Sequence, residues 1–183
     1  TDGTGFTNLY DFSALVNNTN RDGNSPLSAL VLGGDTLYGA AYYGGPGGAG
    51  TLFKINTNGM GFTNRYSFTA SARNSSNSFD GANPGGALIL SGNTLYGMTE
   101  FGGIVFGNKL ESGPGTVFKL NTDGTSFVKL HTFTNAFDGT VPKASLALSG
   151  STLYGTASTS GNGGAGTVFQ LDINGTGFTT LHT

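Results

Sequence analysis

Three aspartates recur in one short pattern, Asp-Gly-x-x-Pro, at residues 22–26, 80–84 and 138–142. Carboxylates in equivalent positions of copied units form a ring if the units surround an axis. Asp22, Asp80 and Asp138 are therefore the candidate metal ligands of the chain. A Ca²⁺ site needs six or more converging oxygens, and the pattern offers one carboxylate per copy. Asp-Gly ahead of an extended segment is also ordinary turn chemistry, in which the carboxylate accepts from its own backbone two residues on. That is the simpler account of all three, so no metal site is assigned.

Other reactive groups are sparse. Glu100 and Glu111 share one long loop, and by residue type alone they could form the acid pair of a glycosidase; solvated loop charges are the plainer reading. His131 and His182 stand where equivalent segments carry Tyr10 and Tyr66, which marks them as ring-shaped packing residues. With 2 histidines and no cysteine in the chain, neither a histidine–metal cluster nor a Cys/His dyad can be drawn. The glycine-rich loops 44–50 and 161–166 open no helical pattern and lack the P-loop lysine, which argues against phosphate binding. Asn-Thr-Asp-Gly at 121–124 lacks the further acidic ligands of a calcium loop and reads as a hairpin turn. Asn17, Asn74 and Asn174 stand in Asn-x-Ser/Thr sequons, as chance provides in so Asn/Thr-rich a chain. No catalytic residue and no cofactor is read from this sequence.

Behind these residues lies a repeated scaffold. Thr-Leu-Tyr-Gly begins at Thr36, Thr94 and Thr152, both intervals being 58 residues, which means that one supersecondary unit has been copied along the chain. Each unit offers four short extended segments. Proline opens an apolar run (30–32, 88–90, 146–148) whose near-continuous hydrophobicity predicts a first strand buried on both faces. A turn of fixed length leads into Thr-Leu-Tyr-Gly, the second strand, so the two form an antiparallel hairpin. The glycine closing that strand is expected to let neighbouring sheets approach closely. The third strand is Gly-Thr-(Leu/Val)-Phe at 50–55, 115–120 and 166–171, with alternating faces. An Asn/Asp-Gly turn then passes into the fourth strand at 62–68, 127–133 and 178–183. Residues 1–12 carry a further copy of this turn and fourth strand, with Phe6, Asn8, Tyr10 and Phe12 on one face.

Four antiparallel strands per repeat without helices predict an all-β fold of β-propeller blades. A single repeat array is expected over 1–183, with blades at about 22–68, 80–133 and 138–183 and a leading fourth strand at 1–12. The make-up agrees: 33 glycines for turns, 11% aromatic residues and only 10% charged. A net charge of -2 with isolated basic residues gives a nucleic-acid or membrane-surface reader no electrostatic footing. No run approaches the roughly 18 apolar residues of a spanning helix, so membrane insertion by a helix is not expected.

The wording of the repeat resembles the Gloeobacter and Verrucomicrobia (GloVer) tandem repeat of bacterial surface proteins. The likeness rests on Leu-Ser-Gly-Asn-Thr-Leu-Tyr-Gly at 90–97, Gly-Thr-Val-Phe-Lys-Leu-Asn-Thr-Asp-Gly at 115–124 and their counterparts, and covers essentially the whole chain. It implies a secreted, propeller-like segment at the bacterial cell surface and no particular activity.

Length varies between repeats in two places only. From Phe6, Phe62 and Phe127 to the Asp of the next Asp-Gly the separation is 16, 18 and 11 residues. From Thr36, Thr94 and Thr152 to the glycine opening the third strand it is 14, 21 and 14. In an up-and-down blade both connections lie at the same end, and variable loops on a rigid scaffold are where binding usually resides. The candidate ligand face is thus Arg21, Tyr42, Tyr43, Arg73, Glu100, Phe101, Lys109 and Glu111; drift at an unconstrained edge is the alternative. Three blades are too few for a ring, since propellers have about four to eight, so further repeats or other copies of the chain are the expected partners. Exposed edges would favour self-association. The function read from this is a non-enzymatic, extracellular structural or adhesive module, with glycan binding second and a hydrolase third.

Overall fold

The computed structural model describes residues 4–69, 79–103, 113–134, 137–159 and 164–183. Among the described residues, twelve strands form three four-stranded antiparallel sheets, one per repeat. Blade 1 comprises β1 (Val31–Gly33), β2 (Thr36–Ala41), β3 (Thr51–Asn56) and β4 (Thr63–Ser67). Blade 2 comprises β5 (Ile89–Ser91), β6 (Thr94–Thr99), β7 (Thr116–Asn121) and β8 (Val128–Thr132). Blade 3 comprises β9 (Ala147–Ser149), β10 (Thr152–Ala157), β11 (Thr167–Asp172) and β12 (Thr179–His182). Within each sheet the strands lie in chain order, so every connection is a hairpin. The all-β, propeller-type architecture expected from the repeat is the one observed.

Register repeats as faithfully as sequence. Leu37, Leu95 and Leu153 pair with Ile55, Leu120 and Leu171 in the central hairpins. The third and fourth strands slip register at Leu52/Phe53, Val117/Phe118 and Val168/Phe169, an irregularity kept in all three copies. At one end of each blade the two turns are tied together, the amides of Thr57, Thr122 and Ile173 donating to the carbonyls of Asp35, Asn93 and Ser151. At the other end lie the connections of variable length.

Alternation along the strands divides the core into two layers between blades. Leu88, Leu95, Phe118 and Leu120 of blade 2 meet Ala40, Leu52 and Phe68 of blade 1, with Val31, Tyr38 and Tyr66 against them. Tyr96, Met98, Val117 and Phe133, on the opposite face of blade 2, meet Leu146, Leu153, Phe169 and Leu171 of blade 3. Successive residues of β6 and β7 thus serve different neighbours, which is the consequence of a period of two in a sheet covered on both sides.

Three expectations are corrected. The first strand of each blade is not buried on both faces: β1, β5 and β9 are sheet edges, none of their residues is fully buried, and Leu32 is exposed. In blade 2, which has a blade on either side, the second and third strands are the covered ones. The glycine of Thr-Leu-Tyr-Gly makes room inside the blade, not between blades. A Cβ on Gly97 would lie 2.6 Å from Cζ of Phe118, its cross-strand partner, and 2.8 Å from Cδ2 of Leu88. The ring lies across the glycine and fills the missing side chain's place. Lastly, the leading segment forms no strand over its described residues, since no described strand pairs with it. Its side chains nonetheless occupy fourth-strand positions. Tyr10 stacks on Phe62 at 3.7 Å and Phe12 meets Phe53 at 5.3 Å, as Tyr66 stacks on Phe127 at 4.2 Å and Phe68 meets Phe118 at 5.6 Å.

Candidate functional site

The three candidate aspartates are all inward-facing clasps. Asp80 accepts from the Tyr66 hydroxyl at 2.8 Å, from the Thr69 amide at 3.1 Å and from the Thr69 hydroxyl at 2.8 Å. Asp22 is held by Tyr10 at 2.8 Å and by the amide and hydroxyl of Ser13, the amide at 2.8 Å. Asp138 is held by Nε2 of His131 at 3.1 Å and by the amide and hydroxyl of Thr134, both at 3.0 Å. The carboxylates therefore do not bond their own turn as their main partner. They join the end of one blade to the entry of the next.

The local sequence explains this placement. The glycine after each aspartate has positive φ (98°, 107° and 87° at Gly23, Gly81 and Gly139), a region that β-carbons disfavour. A Cβ there would also strike the threonine that opens the third strand. That threonine is used as well: the hydroxyls of Thr51 and Thr167 donate to the carbonyls of Asp22 and Asp138 at 3.1 and 3.0 Å. Each aspartate is thus fixed through its backbone by its own blade and through its side chain by the preceding segment.

The electrostatics follow. Burial alone would raise the Asp22 carboxyl, but the hydroxyl and amide of Ser13 and the hydroxyl of Tyr10 overcome it and hold the group below its ordinary value. The same contact pushes Tyr10 up to about 12, burial contributing most and the charge of Asp22 adding to it. Tyr66 is raised for the same reasons beside Asp80. Burial lowers His131, and the pull of Asp138 only partly offsets it. The imidazole is neutral at pH 7 and its Nε2–H donates to the carboxylate.

Of the expected ligand face, Arg73, Lys109 and Glu111 lie outside the described residues. Arg21 is exposed, and its carbonyl accepts from Asn64. Phe101 packs against the core between blades 1 and 2, so it is a packing residue. Tyr43 is exposed at the loop end, edge-on to Tyr42 with centroids 4.6 Å apart. Tyr42 and Glu100 are brought together: the phenol donates to Oε2 of Glu100. Lys143 completes the group from the third repeat, its Nζ 2.9 Å from Oε1 of Glu100. One phenol, one buried carboxylate and one ammonium, each from a different repeat, meet where the blades abut at the variable-loop end.

The framework around this junction is backbone pairing. The segments after β2, β6 and β10 bridge to the Asp-Gly-x-x-Pro turns at Asn24↔Tyr43, Ala82↔Phe101 and Thr140↔Thr159. The residue before each proline takes positive φ, at Ser25 (57°), Asn83 (60°) and Val141 (56°). At Asn83 and Val141 the amide donates to the preceding blade, to Ala49 and Pro114 carbonyls at 2.8 and 2.9 Å. Glu100 and Asp80 have separate partners and form no contact with one another in the described residues. No group of three or more acidic, histidine or cysteine side chains gathers among the described residues, and no helix there is long and apolar enough to cross a membrane.

Sequence reasoning missed Lys143 and the donor side of the clasps. Lys143 follows a proline whose counterparts precede Leu27 and Gly85, so the repeat gave it no weight. The donors did leave a signal, (Tyr/His)-x-Phe-(Ser/Thr) at 10–13, 66–69 and 131–134.

Stacked four-stranded blades with clasped junctions define a repeat protein of the β-propeller type. A profile of the Gloeobacter/Verrucomicrobia repeat matches residues 74–183, and the chain belongs to that family. No curated protein matches the chain. Among solved structures, a chain of a nidogen/laminin complex is similar with a TM-score of 0.53 at 12% identity, covering 82% of this chain and 45% of that one. A putative TolB from Agrobacterium tumefaciens follows at 0.49 and 12%, covering 81% and 45%. An α-L-arabinofuranosidase from Clostridium thermocellum stands at 0.49 and 19%, covering 85% and 50%. At 12% identity the likeness to the nidogen/laminin chain is one of fold. The chain spans 45% of the length of the nidogen/laminin chain it matches.

Proposed function

We propose that the chain is a non-enzymatic, extracellular structural or adhesive module whose business is the stacking of blades. The observation that carries this reading is the use of its polar groups: Asp22, Asp80, Asp138 and Glu100 all face protein donors that join one repeat to the next. An acid–base catalyst needs a carboxyl within reach of a reacting atom, and these four are occupied by the scaffold. Membership of a repeat named for bacterial groups supports a bacterial source for the module.

The test is a panel of chromogenic glycosides and esters assayed with the chain and with Glu100→Gln. The module reading expects no turnover from either protein; hydrolysis by the chain that Glu100→Gln abolishes would overturn it. A second reading, glycan binding at the loop end, draws on the exposed ring of Tyr43 beside Tyr42. It expects signal on a glycan array that Tyr43→Ala removes, and an array without signal contradicts it.

A further inference from the structure

The apolar faces of the blades do not tell one neighbour from another. Blade 2 enters its junction with Leu88, Leu95 and Phe118, and blade 3 enters the next with Leu146, Leu153 and Phe169, the same residue types at the same places in the repeat. The faces that receive them differ only by compensation. Ala40 lies opposite Leu52 in blade 1 and Met98 opposite Val117 in blade 2, one smaller and one larger side chain in each pair. The clasps are equally permissive, since a phenol and an imidazole donate to the same carboxylate position. Burial of this kind is indifferent to order, and similar blades in one chain are open to stacking wrongly.

The junctions do differ at the variable-loop end. Tyr42 follows β2 and Glu100 follows β6, at equivalent places in the repeat. Each meets the residue after the proline of the next blade, which is Gly85 in blade 2 and Lys143 in blade 3. A Cβ on Gly85 would stand 3.6 Å from Cε2 and 3.8 Å from Cδ2 of Tyr42. The ring thus sits over the glycine, where a longer side chain has to displace it or turn away. In the following junction Nζ of Lys143 is 2.9 Å from Oε1 of Glu100. Glu100 is 7% exposed, so its carboxylate relies on that ammonium and on the Tyr42 hydroxyl. One place in the fold is filled by two different complementary pairs.

From this we infer that the two pairs, Tyr42 with Gly85 and Glu100 with Lys143, are a matching code by which each blade accepts its own successor and discriminates against the other. Blade 3 set against blade 1 brings Lys143 beneath the Tyr42 ring. An entry of the Gly85 kind set against blade 2 leaves the Glu100 carboxylate without its cation. A buried charge that loses its partner costs more than the intact pair contributes, so the pairs select through the penalty on the wrong arrangement. Blades with the same apolar faces are thereby kept in order. The inference rests on the reading of the chain as a module for stacking blades, and deepens it by naming the residues that fix which blade follows which.

Exchanging residues between the two junctions tests this at constant composition and net charge. One variant exchanges the exit residues, Tyr42→Glu with Glu100→Tyr. A second exchanges the entry residues, Gly85→Lys with Lys143→Gly, and a third carries all four substitutions. The first two mismatch both junctions, and the third matches both again. In urea titrations the mismatched chains unfold at lower midpoints than the parent, and the fully exchanged chain recovers, a coupling of about tenfold in the folding constant. A fully exchanged chain whose loss is the sum of the other two overturns the code. So do mismatched chains with the parent's midpoint. Where a mismatched chain does not fold, restoration of folding by the four substitutions supports the code and continued failure overturns it. Overturning the code leaves the module reading standing, because that reading falls only to the turnover described above.

Discussion

A carboxylate that accepts from a phenol or imidazole, a hydroxyl and an amide is an anchor, and its removal frees the segments it joins. Asp80→Ala is expected to cost about 1 to 2 kcal/mol, since Tyr66 is half-buried and Thr69 can turn to water, measured as a lower urea midpoint. His131 makes one junction pH-sensitive. Its folded value lies below 6.5, burial outweighing the pull of Asp138, so the unfolded chain binds a proton near pH 6.5 that the folded chain refuses. Its contribution is present above that pH and is lost as pH falls from 6.5 toward the folded value. Thermal unfolding at pH 7 and pH 5 should show a smaller loss in His131→Tyr, which restores the residue found at Tyr10 and Tyr66; an unchanged difference contradicts this. Val141 holds a φ of 56° with a β-branched side chain, a strained combination. Val141→Asn, the residue at Asn83, is expected to stabilise by about 1 kcal/mol in the same urea titration.

At the scale of the element, the strands were legible because the copies agree. The 58-residue interval and the alternation in Gly-Thr-Val-Phe-Lys-Leu fixed each hairpin and its faces. What one chain of symbols withholds is who lies beside each face. Leu30-Val31-Leu32 reads as a doubly buried strand but is a sheet edge, and the leading Phe6-to-Phe12 segment has a strand's side-chain pattern without a strand's partner. The candidate site was legible in half. Tyr42 and Glu100 were marked by their loops, whereas Lys143 became visible only through a contact between repeats. Gly97→Ala tests the packing within a blade. A methyl there would meet Phe118 and Leu88 within 3 Å, and overpacking of this kind costs about 1 to 3 kcal/mol, seen as a fall in melting temperature.

As a whole, the three blades are a stack in which the same junction is built twice. Ring stacking, an aspartate clasp and a turn amide reaching back to the preceding blade recur at the interior junctions. These clasps are what the account makes responsible for holding successive blades together. A urea titration of Asp22→Ala, Asp80→Ala and Asp138→Ala, followed by circular dichroism, is the most direct test. The account predicts that each variant unfolds at a lower urea midpoint than the parent chain, since each loses the side-chain bonds that fasten one blade entry to the segment before it. Midpoints unchanged in all three would contradict it.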